Sequence, residues 1–184
     1  LAAEWDDFRA AAVTSIVTRL AKIVHDAGGS VGVFLVPVED SLRRADYGQD
    51  VTALAAAVDG FVLMSYQSMT GLDAEGTIAL AEQVRTRSAR PITAMLQTTT
   101  AEIYSHGCDW GVPLTRASLD STASAMCAAL RDRRIDGLCL FPGEAPFPEL
   151  LLTDPVGLSA GGSDAVAVSR IGNDIHSEPE GTRR

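Results

Sequence analysis

The chain has 184 residues and carries 24 acidic against 15 basic side chains, which gives a formal net charge of −9. Hydrophobic residues make up 46% of the chain, so it can bury the core of a single domain and is not a disordered protein. The negative charge argues against partners that are bound by neutralising phosphates, and we expect neither nucleic acid nor a membrane surface as a partner. No apolar run approaches the roughly 20 residues of a membrane span.

Cysteine usage and the first residues give little further information. Cys108, Cys127 and Cys139 are too few and too scattered to predict a disulfide framework. An amphipathic helix begins within the first residues, with no start methionine or signal peptide ahead of it. We therefore expect the chain to be part of a longer protein, and the sequence predicts no compartment.

Hydrophobic periodicity predicts a long first helix. Apolar residues recur at intervals of three and four between Trp5 and Val24. Gly28 and Gly29 then end the helix. Because these glycines precede a strand, we interpret them as a helix C-cap and not as a phosphate-binding loop.

Four short apolar runs predict strands at 31–36, 61–66, 92–96 and 138–141. They are continuously apolar, which is typical of parallel strands that are covered on both faces. Helices are predicted between them at 50–58, 75–87 and 119–133. The order of one helix, three βα units and a last strand predicts an α/β fold with a four-stranded parallel sheet.

The segments 58–64 (VDGFVLM) and 135–141 (IDGLCLF) share one pattern, which predicts a helix-to-strand turn in each. We expect Gly60 and Gly137 to adopt the left-handed conformation there, and Asp59 and Asp136 to cap the turns. After residue 142 the composition changes to Pro, Gly, Ser and acidic residues. The predicted division is therefore a domain over 1–150 and a largely disordered tail over 151–184.

Polar residues follow the predicted strands, where loops of a parallel α/β fold form a binding site. Their carboxylates, amides and hydroxyls suit a neutral, polyhydroxylated ligand such as a sugar. Glycoside hydrolysis uses carboxyl groups, and aromatic rings stack on sugars. The candidates are Glu39, Asp50 and Glu144 as assisting carboxylates, Tyr66, Gln67 and Gln97 as groups that orient the sugar, and Trp110 as a stacking ring.

Each candidate also has a purely structural alternative. Asp50 could cap a helix that begins at Val51, and Glu39 and Glu144 could be solvated loop charges. Trp110 could pack under its own loop. His106 and Cys108 have no second ligand pair at a recognised spacing, so we expect no metal and no cofactor.

The segment VDGFVLMSY (58–66) resembles the sixth-strand segment of glycoside hydrolase family 18, the chitinase-like barrels, in which Asp, an apolar strand and Met-x-Tyr-Asp follow one another. The preceding helix, strand and YGQD loop (47–50) are similar to the hypothetical glycosyl-hydrolase-like families of bacteria. The resemblance covers about residues 5–145. It implies that the four strands are the fifth to eighth of a (β/α)8 barrel.

The resemblance also implies roles for individual residues. Met64 and Tyr66 match the family positions, where the tyrosine lies near the reacting sugar and, in chitinases, helps to hold the N-acetyl group. The Asp expected next is Gln67 in this chain, which can form hydrogen bonds but carries no charge. The Asp-x-x-Asp-x-Asp-x-Glu signature that supplies the general acid belongs to the fourth strand, which would lie before Leu1.

These implications define the expected function. We expect part of a glycoside-hydrolase-like barrel that acts on or binds a polysaccharide or amino-sugar polymer. A complete barrel needs about 250 residues, so the strands 31–36 and 138–141 are expected to be unpaired edges. The missing N-terminal half of the barrel, or a second copy of this chain, would cover them. The alternatives are a non-catalytic carbohydrate-binding or structural half barrel and a small open α/β domain that binds a phosphorylated ligand.

Overall fold

A parallel sheet whose strands follow in chain order is the centre of the fold. The computed structural model describes residues 2–97, 114–141 and 169–170. The strands of the sheet are β1 (Gly32–Leu35), β2 (Gly60–Leu63), β3 (Ile92–Gln97), β4 (Gly137–Phe141) and β5 (Ser169–Arg170). They are arranged in the order β1-β2-β3-β4-β5, and every neighbouring pair is parallel. The predicted α/β class with a parallel sheet is confirmed.

The helices depart from the prediction in three places. They are α1 (Ala2–Asp26), α2 (Asp40–Tyr47), α3 (Val51–Leu54), α4 (Gln67–Thr70), α5 (Ala74–Arg87) and α6 (Arg116–Arg131). The helix predicted at 50–58 is only the short α3, and α2 and α4 have no counterpart among the predicted helices. The sequence of α2, DSLRRADY, has too few apolar residues for a periodic signal, and its buried residue is Arg43.

The hydrophobic core lies between one face of the sheet and the helices. Leu35, Leu63 and Ala94 are cross-strand neighbours on this face, and all are 0% exposed. Ile78 of α5 and Met126 of α6 belong to the same buried cluster. Contacts link α1 to α3, α3 to α5 and α5 to α6, so these helices form one continuous layer along the sheet.

The other face of the sheet is covered unevenly. Met95 and Cys139, paired across β3 and β4, are buried. Phe34 of β1 is 40% exposed, and its neighbour Val62 is half-buried. The prediction of strands covered on both faces is therefore wrong for β1. Its sequence misled the prediction because a short apolar edge strand has the same sequence pattern as a central strand.

The first helix ends as predicted. Gly28 has a φ of +78°, in the left-handed region. The N–H of Gly29 donates to the carbonyl of Val24 at 2.9 Å, which satisfies one of the last carbonyls of α1. This hydrogen-bonding pattern is that of a glycine C-cap.

Gly60 and Gly137 are needed for a different reason from the one predicted, since neither has a positive φ. A Cβ atom at Gly137 would lie 2.7 Å from Oγ1 of Thr93, and one at Gly60 would lie 3.3 Å from the carbonyl oxygen of Pro91. Both glycines therefore permit a close approach to β3 or to the residue before it. The expected left-handed turn is wrong at both positions.

Asp59 and Asp136 make equivalent hydrogen bonds at the amino ends of the strands. The carboxylate of Asp59 accepts a hydrogen bond from the N–H of Val31 at 2.7 Å, and its own N–H donates to the Val31 carbonyl at 2.8 Å. Asp136 makes the same two bonds to Ile92, at 2.9 and 2.8 Å. The repeated pattern is thus a tie between the starts of neighbouring strands and lies opposite the candidate site.

Asp59 should make the stability of the protein depend on pH. The Val31 N–H and the neighbouring His25, whose Nε2 lies 2.8 Å from Oδ2, lower the pKa of the Asp59 carboxyl. The pKa of this carboxyl is therefore lower in the folded protein than in the unfolded chain, where it is about 3.9. The charged carboxylate stabilises the folded protein at pH values above about 3.9, and this stabilisation is lost as the pH falls through the pKa of the folded state. Asp59→Asn keeps an acceptor for Val31 without the charge. We expect its melting temperature to be lower than that of the wild type at neutral pH and the difference to shrink below about pH 4.

Asp26→Asn is the matched control, since this exposed carboxylate pairs with Lys22 one turn earlier on α1. Such a pair contributes little, so the melting temperature should change little at any pH. A difference between Asp59→Asn and the wild type that stays constant from acid to neutral pH would show that the charge of Asp59 does not stabilise the fold.

The predicted unpaired edge at 138–141 is also corrected. Cys139 and Leu140 pair with Ser169 and Arg170, so β4 has a neighbour on each side. These two residues of β5 fall in the segment predicted to be a disordered tail, and the rest of 151–184 lies outside the described residues. Among the described strands, β1 forms one edge of the sheet.

Candidate functional site

Tyr66 lies with Phe141 at the carboxyl edge of the sheet. The strand β2 ends at Leu63, earlier than predicted, and Tyr66 is the N-cap residue of α4. Its half-buried ring meets that of Phe141 edge to face, with ring centroids 5.2 Å apart. Gln97 of β3 is the cross-strand partner of Phe141. The structure therefore brings the predicted residues Tyr66 and Gln97 to the same edge.

The hydroxyl of Tyr66 remains protonated at neutral pH. Burial raises the pKa of this phenol, and the neighbouring Cys139 raises it further. Met64, the other residue of the Met-x-Tyr segment, has its sulfur atom 4.0 Å from the Tyr66 oxygen. The protonated hydroxyl of Tyr66 is therefore the donor toward the sulfur atom of Met64.

Gln67 extends the pairing of β2 and β3 with its side chain. Its Nε2 donates to the carbonyl of Met95 at 3.2 Å, and its Oε1 accepts from the N–H of Gln97 at 2.9 Å. A further residue of β2 would bond to the same two backbone groups. The carboxamide of Gln67 thus replaces a strand residue and fixes the first turn of α4, directly after Tyr66.

Gln97 holds the next residue of that turn. Gln97 is only 1% exposed, and its Oε1 accepts hydrogen bonds from the N–H and the Oγ of Ser68, at 3.2 and 2.9 Å. Its Nε2 lies 2.6 Å from the same Oγ. Gln67 and Gln97, predicted to orient a sugar, are engaged within the protein and together position Tyr66.

The two described candidate carboxylates, Glu39 and Asp50, are the N-cap residues of α2 and α3. Asp50 caps α3, with Oδ1 3.0 Å from the N–H of Ala53, and Oδ2 accepts from Nε of Arg44 at 3.0 Å. Burial acts to raise its pKa, but the bonds to Ala53 and Arg44 outweigh it and lower the pKa. The capping alternative is confirmed for Asp50. Glu39 is exposed at the N-cap of α2 and makes no capping bond with its side chain.

Glu39 and Asp50 share a polar cavity of about 590 Å³ that is also lined by Arg44 and Arg87. Residues of α2, α3 and α5 form its walls. The residues Met64, Tyr66, Gln67 and Gln97 do not line it. The described carboxylate candidates therefore line a cavity to which the candidates for sugar binding do not contribute.

Arg43 is a structural residue that the sequence analysis missed. It is 0% exposed, and its Nε donates to the carbonyl of Val36 at 2.9 Å. Its other two nitrogens bond to the Val38 carbonyl and to Oδ1 of Asp40. Burial lowers its pKa, with partial compensation by Asp40 and Glu39. In the sequence, the Arg pair at 43–44 looks like a solvated charge.

Gln49 is a second missed residue, and it lies on the outer edge of β1. Its Oε1 accepts from the N–H of Val36, and its Nε2 donates to the carbonyl of Phe34, both at 2.9 Å. The carbonyl of Leu35 accepts a hydrogen bond from the N–H of Met64, just after β2, so the backbone groups of Leu35 face β2. Because backbone groups alternate in direction along a strand, those of Phe34 and Val36 face away from β2. Gln49 therefore covers two groups that another strand would need.

Trp110 and Glu144 lie outside the described residues, as do His106 and Cys108. Within the described part of the chain, no group of three or more His, Cys, Asp or Glu side chains could hold a metal ion. Over the same residues, no helix is long and apolar enough to cross a membrane. No protein-family model, curated protein or solved structure matches this chain.

Proposed function

We propose that the chain forms part of a glycoside-hydrolase-like (β/α)8 barrel and that its carboxyl edge binds a polysaccharide or amino-sugar polymer at Tyr66. Two aspects of the fold support the barrel. Barrel strands follow one another in chain order, as β1 to β4 do, and their helices form one layer. In a complete barrel, the strand before β1 would displace the Gln49 side chain from Phe34 and Val36, and a first strand would take the place of β5 beside β4. A doubly wound sheet instead reverses its order at the ligand site, and the described strands contain no reversal, which disfavours the phosphorylated-ligand alternative.

The Tyr66–Phe141 pair is the observation that carries the proposal. Sugar rings offer apolar C–H faces together with hydroxyl groups, and a half-exposed tyrosine can contact both. The ring of Tyr66 is held edge to face by Phe141, and the turn that carries it is held by Gln67 and Gln97. A binding group held in place before the ligand arrives loses little conformational entropy on binding.

The proposed role of the described residues is to bind the sugar and not to supply the acid. Hydrolysis of a glycosidic bond uses a carboxylic acid together with a second carboxyl group or its equivalent. Asp50 has a lowered pKa and is committed to Ala53 and Arg44, so it is ionised at neutral pH and poorly suited as a general acid. A non-catalytic carbohydrate-binding unit is the second candidate, and the commitment of Asp50 to Ala53 and Arg44 favours it.

Calorimetric titration of the chain with chito-oligosaccharides and cello-oligosaccharides tests the proposal. We expect one of these ligands to bind. Tyr66→Ala should raise the dissociation constant by about tenfold or more, since ring contact and hydroxyl are both lost, and Tyr66→Phe should raise it by roughly threefold.

Tyr47→Ala is the matched control, because Tyr47 is also partly exposed, at 48%, and lies at the end of α2. It should leave the dissociation constant unchanged. Thermal melts of all three variants verify that they fold. Absence of binding by the wild type, or equal binding by the wild type and Tyr66→Ala, would refute the assignment of Tyr66 to a sugar site.

A further inference from the structure

The helix α1 has a second apolar face that no described element covers. This face, the α1 stripe, consists of side chains that are 56–66% exposed: Trp5, Phe8, Ile16, Leu20 and Ile23. Its ends, Trp5 and Ile23, are 18 residues or five helical turns apart, so they lie at the same angle on the helix, about 27 Å from each other, with Phe8 and Leu20 about 60° to either side. The opposite face carries the buried Ala10 and Ala21, and α1 contacts α2 and α3.

A contiguous apolar surface of this kind is typical of an interaction site. The outer edge of β1 is a less suitable surface, because Gln49 already bonds to the carbonyl of Phe34 and the N–H of Val36. The helix, in contrast, presents large side chains that need no backbone partner. Of these two surfaces, the α1 stripe is therefore the one on which an association would bury more apolar side chains.

The order of residues along the stripe is symmetric. With the half-buried Ala12 included, its members fall into pairs that are equally distant from position 14. Two such helices in antiparallel orientation would bring the members of each pair to the same height along the interface, with the small Ala12 beside a large side chain. The pairs are Trp5 with Ile23, Phe8 with Leu20, and Ala12 with Ile16.

Charges beside the stripe fit the same arrangement. Glu4 and Lys22 are also 18 residues apart, so they lie on the same flank of the helix. In an antiparallel pair, equal flanks face each other, and Glu4 of one copy comes near Lys22 of the other. Lys22 is well exposed, and its ammonium group also lies 2.8 Å from Asp26 of its own helix.

We infer that the α1 stripe is a homodimer interface in which two copies of α1 pack antiparallel about a two-fold axis at position 14. A two-fold interface uses the same surface on both copies and closes on itself. The symmetric order of the stripe meets this requirement. The partner of the stripe is thus a second copy of this chain, independent of any carbohydrate ligand.

Sedimentation equilibrium of the chain over a wide range of concentrations is the first test. We expect the wild type to pass from the monomer mass to twice that mass as its concentration rises. Ile16→Lys should remain monomeric, because each dimer would bury two ammonium groups near the axis. Thr18→Lys is the matched control: it adds the same charge to an exposed position about 200° further round the helix, and it should dimerise like the wild type.

Charge exchange tests the antiparallel arrangement. Glu4→Lys and Lys22→Glu should each raise the dimer dissociation constant by roughly threefold to tenfold, and the double variant should restore it. Circular dichroism melts verify that every variant folds. A wild type that stays monomeric overturns the inference and leaves the stripe to a different partner. Dimerisation of Ile16→Lys overturns it as well, and so does a double variant that does not recover.

Discussion

Replacement of Arg43 by methionine is expected to lower the free energy of unfolding by roughly 3 kcal/mol. Methionine fills most of the same volume but has no donor for the carbonyls of Val36 and Val38, which lie at the end of β1. Buried acceptors without a donor are costly, and Asp40 also loses a cationic neighbour. Urea denaturation followed by circular dichroism measures the loss.

Arg87→Met provides the matched control for Arg43→Met. Arg87 also pairs with Asp40, at 3.0 Å, but its side chain is 57% exposed, so we expect a change of no more than about 0.5 kcal/mol. Arg43→Lys should lie between the two, since lysine restores a charge but not the planar fork of donors. Equal losses for Arg43→Met and Arg87→Met would contradict the role assigned to the buried guanidinium.

Gln97→Leu is the second change with a large expected effect, a loss of roughly 2 kcal/mol in the free energy of unfolding. The Ser68 N–H would lose its described side-chain acceptor, Oε1 of Gln97, and the Ser68 hydroxyl would lose a partner in a buried position. The turn that carries Tyr66 would lose one of its two ties to β3. We therefore expect weaker sugar binding as well, in the same calorimetric titration.

The double variant Gln97→Leu/Ser68→Ala separates the hydrogen bonds from simple packing. Ser68→Ala removes the stranded hydroxyl, so the double variant should lose less stability than the sum of the two single variants. Chemical denaturation of all four proteins gives the coupling energy directly. Strict additivity would show that the Gln97–Ser68 bonds contribute nothing to stability.

The fold could be predicted where apolar residues dominate. The strands around Leu35, Leu63 and Ala94 are buried on the helix side of the sheet, so hydrophobic runs located them to within a few residues. The helix α2 could not be located in this way, because its buried residue is Arg43 and not an apolar side chain. The sequence pattern marks Gly137 as part of a turn, but the reason that glycine is needed there is the close approach of Thr93. Thr93 lies in a neighbouring strand, and no local sequence pattern contains its position.

The meeting of Tyr66 and Gln97 at one edge of the sheet could be predicted, whereas the hydrogen bonds that hold them there could not. The rule that loops at the carboxyl ends of parallel strands form sites correctly placed Tyr66 and Gln97 at one edge. The tasks of Gln67 and Gln49 could not be foreseen. Each bonds to backbone groups of a strand end, and a bond between a side chain and a distant backbone leaves no trace in composition or spacing.

The position of Gln49 has a consequence for the chain at high concentration. The outer edge of β1 is covered by the carboxamide of Gln49, which belongs to the same chain. The effective concentration of this carboxamide at the edge is therefore far above that of any competing strand. A free peptide strand would have to displace the Gln49 carboxamide by mass action, against this higher effective concentration. This end of the sheet is therefore a poor template for fibril growth, although the strand itself is apolar and partly exposed.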